Sequence, residues 1–471
     1  MLVLIKKVNF VSLKVLQDNN MSLSAIHLTN FKCFNDINVE TSNITLLTGA
    51  NGSGKTSLIY GVIGAFQTKD FPFSFSPNGK YVTMGDFLEM VNQHKPNSEI
   101  KIGFNFKDEV FNFDINSIWI RDKKSNLPKL KDLHVASEMF NLEISKNIKY
   151  HLKVNFPDSS DAVNQFLKPE LLLNFMEGLS KQRIKKTPTK EGDEDGLEFI
   201  RDWMQPSQKE VLLTFSDFNE LDRLMRGKGM YLVQNAYISL KASLESFSNK
   251  INFISSFRLH PERTYFETLK FDLKIGKFGE NYVDQIIAWE SQGNDQYMEL
   301  ISVMKNLGLF HDIKSQRIKG GRFELLVKMK LNSSWSSLAD VGFGISQFLP
   351  IIVADLQLGN GSTLFIAQPE IHLHPEIQAS FADYIVAQIK NKRKKYVIET
   401  HSEYLINRIR LCIAKEQIDL KDIRTYYLDN KGSDTQIHEI RFLKNGQIKG
   451  APRGFFQTYM MDVMDIALAA K

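Results

Sequence analysis

Apolar and polar residues alternate in short runs near the start of the chain, in AIHLTNFKCFNDINVE (25–40) and again at Ile100, Ile102, Phe104 and Phe106. A period of two places one side on a core and the other toward water. These runs therefore predict antiparallel strands, the first stretch turning at Asn35-Asp36. Largely apolar runs predict further strands at Ile44–Leu47, 363–367 and Tyr396–Ile398. A helical spacing takes over at 377, 381, 385 and 386, and SSLADVGFGISQFLPIIVADL (336–356) reads as a loop entering an apolar helix. Residues 130–250 shift toward helix, with segments near 161–186, 197–204 and 208–250 whose heptads are too short for a long coiled-coil arm. A stubby helical hairpin or lid is expected there, and an α/β pattern returns from 251.

The pattern divides the chain into an extension (1–20), an N-terminal lobe (21–125), a helical insertion (126–250) and a C-terminal lobe (251–471). Met21 opens a second plausible start, MSLSAIHLTNF.

Chemistry is most legible at NITLLTGANGSGKTSLIYGVIGAF (43–66). An apolar strand runs into Gly49, Ala50, Asn51, Gly52, Ser53, Gly54, Lys55 and Thr56, then a helix. This is GxxxxGKT in strand–loop–helix context: backbone N–H groups curl around a phosphate, Lys55 reaches the β/γ oxygens, Thr56 holds Mg²⁺ and Ser57 reaches the α-phosphate. ATP and Mg²⁺ are the expected cofactors.

The L-x-N-F-K-x-F opening followed by GxNGSGKTSL resembles the ABC-type ATPase heads of the RecF, SMC and OLD-like proteins. The resemblance covers most of 21–471 and is loose in the insertion. It implies an α/β head with a parallel RecA-like core sheet, an antiparallel β layer and a helical insertion. It also implies that Gly344, Ser346 and Gln347 form a signature helix start facing the γ-phosphate of ATP held by another subunit, so that the chain forms a homodimer or higher oligomer through its ATP sites. An ordinary N-capped helix is the plain alternative. His401, in the Thr-His-Ser segment closing a strand, matches the switch histidine; Gln67 is a candidate Mg²⁺-sensing glutamine or simply the end of its helix. His372 and His374, just before a proline, look more like a D-loop than a metal pair.

One departure is specific. Hydrolysis of this type needs a carboxylate near Mg²⁺ and another to polarise water, and LFIAQPEIHLHP (364–375) places Ala367 and Gln368 where they belong. A neutral amide holds a water but cannot take its proton. Glu370 is the nearby acid, with Glu376 and Glu399 farther away. Three readings fit: Glu370 serves and hydrolysis is slow; ATP binds without turnover as a switch; or Gln368 is a Glu→Gln exchange that traps ATP. Catalytic candidates are thus Glu370, His401 and Gln368.

Composition (43% apolar, 24% charged) is that of a soluble globular protein, and no run approaches a membrane span. Two distant cysteines, Cys33 and Cys412, suit a reducing cytoplasm. A net charge of +5 permits nucleic acid without arguing for it. The basic runs in KQRIKKTPTKEGDEDG (181–196) and KNKRKKY (390–396) fit either solvated faces or contact with DNA or a partner. No nuclease motif is evident. The resemblance, most like the ATPase subunit of a Septu-type anti-phage system, implies a scaffold that restrains a separate HNH-type nuclease, with DNA reached directly or through that partner. A RecF/SMC-like repair clamp is the alternative.

Overall fold

The computed structural model describes residues 21–107, 112–138, 140–155, 210–225, 231–266, 274–432, 434–452, 455 and 468–469. The extension 1–20, the helices expected near 161–186 and 197–204, and the 181–196 charge run lie outside them. The chain forms two interleaved compact units: Met1–Asn30, Thr68–Pro77 and Gly85–Ser248 make the first, Phe31–Gln67, Asn78–Met84 and Asn249–Lys471 the second.

In chain order the strands begin with β1 (Ser22–Phe31), β2 (Phe34–Glu40) and β3 (Ile44–Gly49). The turn after β1 falls at Lys32-Cys33, not at Asn35-Asp36: Lys32 takes the left-handed backbone (φ 51) and the later pair stays extended within β2. The first unit is an antiparallel sheet in which β1 is followed by β4 (Ile100–Lys107), β5 (Phe113–Arg121), β6 (Pro128–Ser137), β7 (Asn141–Lys146), β8 (Tyr150–Asn155) and β9 (Glu210–Phe215). Alternation builds it, since Ile100, Ile102, Phe104 and Phe106 are all buried.

This overturns the helical reading of the insertion's first part, where the described residues of 128–155 form β6, β7 and β8. Alternating Leu130, Leu133, Val135, Leu142, Ile144, Leu152 and Val154 are buried, which is a strand's signature once β5 offers an edge to extend. Among the described residues of the insertion, β9 also takes the start of the segment expected as helix from 208, and helix follows at α2 (Phe218–Met225) and α3 (Tyr231–Asn249); α1 (Lys55–Gln67) comes earlier in the chain, after β3.

The second unit is built on a sheet ordered β10 (Ile251–Ile254), β15 (Thr363–Ala367), β16 (Lys395–Glu399), β3, β17 (Ile423–Asn430), β18 (Thr435–Phe442), β19 (Ile448–Lys449). The first five run parallel. Being covered on both faces, they read as apolar runs: every residue of β3 and β15 is buried. A smaller sheet joins β11 (Tyr265–Phe266), β12 (Asp312–Ile318), β13 (Arg322–Lys328) and β14 (Trp335–Ser337). The unit's helices are α4 (Tyr282–Gln292), α5 (Asp295–Asn306), α6 (Phe343–Gln357), α7 (Pro375–Lys392) and α8 (Glu403–Ala414). In α6 the residues from Ile345 to Leu356 are all buried, so it is a core helix. The α/β class with a parallel core and an antiparallel layer is as expected.

The KNKRKKY cluster is largely absorbed by this packing. Lys394 is buried against Asp355 at 3.1 Å, and Lys392 pairs with Glu299 at 2.5 Å, leaving Lys390 and Arg393 exposed.

Candidate functional site

The site lies within the second unit, at the carboxyl ends of β15, β16 and β3, which are neighbours in that order. In open parallel sheets this is where ligands sit. The chain leaves β3 through Gly49 (φ 134), where a Cβ would overlap the Leu428 carbonyl of β17, so glycine is required. A Cβ at Gly54 (φ 94) would likewise strike the Cys33 sulfur. Asn430 ties the loop down by donating to the Gly52 carbonyl at 3.0 Å.

Lys55, 3% exposed, folds back on the loop and donates to the carbonyls of Gly49 (3.0 Å) and Ala50 (2.8 Å). Burial holds its ammonium below the usual lysine range, while Glu399 and Glu370 pull the other way. The Ser53 hydroxyl is buried with no partner. Asn51 and Gly52 are exposed. Thr56 donates to the Glu399 carboxylate at 2.7 Å, and Ser57 lies beside Cys33. A buried cation, an orphaned hydroxyl and the N-terminus of α1 form a cradle suited to a polyphosphate.

The opposite wall comes from β15 and β16. Ala367 is the register partner of Glu399, and Gln368 leaves β15 in the left-handed region (φ 47), its N–H donating to the Glu399 carbonyl at 2.7 Å. Arg258, just beyond β10, clamps this turn: one Nη donates to the carbonyls of Ala367 and Gln368, both at 3.0 Å. The guanidinium is 2% exposed, and its Nε and other Nη have no partner. Burial lowers its pKa to about 10, against the attraction of Glu370.

Glu370 has both carboxylate oxygens engaged. One accepts from the Thr400 hydroxyl (2.9 Å) and the other from the His401 backbone N–H (2.7 Å). Burial raises its pKa, partly offset by those donors and Arg258. Glu370 therefore holds the Thr-His-Ser loop in place, a more structural position than that of an acid facing open solvent. The His401 side chain is exposed and faces the cleft's positive charge: desolvation and Lys55 both lower its pKa. Ser402 caps α8 by accepting from Leu405 N–H at 3.0 Å.

The signature residues divide. The start of α6 at Gly342 and Phe343 is exposed, and Gly344 sits where a Cβ would overlap the His372 carbonyl. Ser346 and Gln347 instead face inward. The Ser346 hydroxyl donates to the Phe343 carbonyl at 2.9 Å, and the Gln347 amide donates to the carbonyls of Arg258 and Leu259. Only the helix start is presented outward, because α6 is apolar all round and buries its second turn. The Gln67 amide is also spoken for, accepting from Tyr81 and Val82 N–H and donating to the Val82 carbonyl. His372 packs edge-on against Phe343, whereas His374 caps α7 by accepting from Glu376 N–H. Among the described residues no group of three or more His, Cys, Asp or Glu could hold a metal ion by itself.

Sequence reasoning missed Arg258 as a member of the site. Its signal was an arginine four residues beyond an apolar strand, INFISSFR (251–258), a place where an unpaired guanidinium would be expensive to bury.

A family model described as an AAA ATPase domain matches residues 21–406, which take in the loop, both strands of the opposite wall and the Thr-His-Ser segment. The chain belongs to that AAA ATPase domain family. No curated protein matches it. Among solved structures, this AAA ATPase domain protein is similar to the Smc head domain with an extended coiled coil bound to the C-terminal domain of ScpA, from Pyrococcus furiosus. Identity there is 10%, covering 95% of this chain and 100% of that one, with a TM-score of 0.36. It is also similar to the SMC head domain from Thermotoga maritima, at 12% identity over 88% and 97% of the chains and a TM-score of 0.37. Among the described residues no helix is long and apolar enough to cross a membrane.

Proposed function

We propose that this chain binds ATP with Mg²⁺ at the 49–57 loop and acts as a nucleotide-gated scaffold whose hydrolysis is slow or absent. The observation that carries the reading is the composition of the wall facing Lys55: Ala367 and Gln368 where two acids would be useful, with Glu370 committed to Thr400 and His401. Phosphate binding needs the loop, the lysine and the helix start, all present. Turnover needs a base near the attacking water, and Gln368 cannot be one. Bound Mg²⁺ would neutralise charge on the β/γ oxygens, and the Thr56 hydroxyl suits it as a hard oxygen donor.

ATP binding joins two copies in this reading, each offering the exposed start of α6 to the other's nucleotide, so a homodimer or higher oligomer forms with ATP. The resemblance to Septu-type systems supports a role in anti-phage defence, in which the oligomer holds and restrains an HNH-type nuclease in the cytoplasm. A repair clamp acting directly on DNA draws less support, since Lys392 and Lys394 are paired internally.

The test is a phosphate-release assay with nucleotide binding measured in parallel. Wild type should bind ATP with little turnover, and Gln368→Glu should raise turnover by roughly a hundredfold, the lower end of what a positioned base contributes. Fast release by wild type would refute the slow-turnover reading. Loss of ATP binding in Lys55→Ala, with retention in Gln368→Glu, is the expected control.

A further inference from the structure

We propose that Glu399 supplies the carboxylate for the Mg²⁺ of this nucleotide site, a task moved one strand over from the place on β15 now held by Ala367. The proposal rests on the ATP reading above. Ala367 and Glu399 are register partners on parallel strands. In-register neighbours point to the same face of a sheet, so an acid at 399 enters the cleft from the row next to an acid at 367. The displacement is toward the nucleotide loop, because β16 lies between β15 and β3.

The contact with Thr56 decides in favour of Glu399. Its carboxylate accepts from the Thr56 hydroxyl at 2.7 Å, so two hard oxygen donors from different ends of the sequence adjoin at the start of α1. Glu370 makes no such contact, its oxygens being taken by Thr400 and His401. Mg²⁺ on a nucleotide is commonly held by one or two carboxylates together with phosphates and retained waters. One glutamate and one threonine are therefore a sufficient protein share, although they make no metal cluster by themselves. Glu399 is 5% exposed, with Lys55 as its compensating charge among the described residues. A carboxylate kept in such surroundings is stabilised by a cation at the site.

The competing explanation is that Glu399 merely braces Thr56. Glu399→Gln separates the two, because its amide oxygen still accepts from the hydroxyl while the charge is gone. Fluorescent ATP is titrated in Mg²⁺ and in EDTA, and Mn²⁺ binding to the ADP complex is followed by electron paramagnetic resonance. In wild type Mg²⁺ should tighten ATP by about tenfold or more. Glu399→Gln should lose most of that gain and the bound-Mn²⁺ signal, with EDTA binding within about twofold of wild type. Ala367→Asp added to Glu399→Gln should recover part of the metal response. An unchanged metal response in Glu399→Gln overturns this proposal alone. Wild type that binds no ATP in either buffer overturns the ATP reading as well.

Discussion

Lys394 and Asp355 provide a test of whether the KNKRKKY cluster is core or nucleic-acid surface. Both side chains are 1% exposed, with the ammonium 3.1 Å from the carboxylate. Lys394 also donates to the Asp355 carbonyl, and the hydroxyls of Tyr384 and Tyr396 donate to the same carboxylate. Asp355→Asn keeps the shape and leaves one tyrosine hydroxyl its acceptor, the other turning to accept from the new amide, but strands a buried ammonium. Breaking a buried pair in this way costs about 3–5 kcal/mol. Lys394→Met is milder, because Asp355 retains two hydroxyl donors; about 2 kcal/mol is expected. Once the charge at 355 is gone, removing the lysine relieves the strain, so Asp355→Asn with Lys394→Met should be more stable than Asp355→Asn alone. The coupling should reach about 2 kcal/mol. Urea denaturation followed by tryptophan fluorescence and circular dichroism gives the cycle. Asp355→Asn within about 0.5 kcal/mol of wild type, or a strictly additive double variant, would refute the reasoning. A Lys394→Met variant that folds normally but loses DNA affinity would return the cluster to the surface.

Three further outcomes follow from the second unit. Gly49→Ala should abolish ATP binding and lower stability by about 3 kcal/mol or more, since the new Cβ meets the Leu428 carbonyl at a strained φ; thermal melts and fluorescent-ATP titration check it. In Arg258→Met, two lost bonds to carbonyls, worth about 1.5–3 kcal/mol each, are offset by ending the burial of unpaired Nε and Nη, about 1–3 each. Stability should thus shift little while ATP binding weakens as Gln368 loses its clamp; a large loss of stability with intact binding would reverse this. Burial, with Lys80 nearby, depresses Lys274 to about 8 from 10.5. Between those values the unfolded chain binds more protons, so stability rises with pH across that window, and Lys274→Met should flatten the rise in pH-dependent melts.

What the chain declared in advance was whatever short-range pattern controls. The P-loop needs its glycines, lysine and threonine contiguous, and β3, β15 and β16 are apolar because a parallel sheet is covered on both sides. Strands β6 to β8 were misread because a helix and a half-buried strand both tolerate lysines and serines. The antiparallel edge of β5 resolved the choice, and a window over 128–155 does not contain it. The signature residues divide for a related reason: Ser346 follows glycines as a cap would, yet the apolar sequence after it commits the helix to the core and turns the serine inward.

The acids of the nucleotide site show the same limit most sharply. Along the chain, Ala367 and Gln368 mark a damaged wall, and Glu399 belongs to a different strand. Parallel pairing converts that separation into adjacency, since the register joining Ala367 to Glu399 is set by the pairing of β15 with β16 and not by local sequence. The strand carrying Glu399 is also the one beside β3, so its acid meets Thr56 directly. Loss of a carboxylate at one strand end therefore predicts loss of metal binding only when neighbouring strand ends are neutral as well. In this chain the proton-accepting and metal-holding tasks are expected to separate: Gln368→Glu should change turnover and Glu399→Gln the metal response. A Gln368→Glu variant that changed the metal response together with turnover would show that one carboxylate serves both.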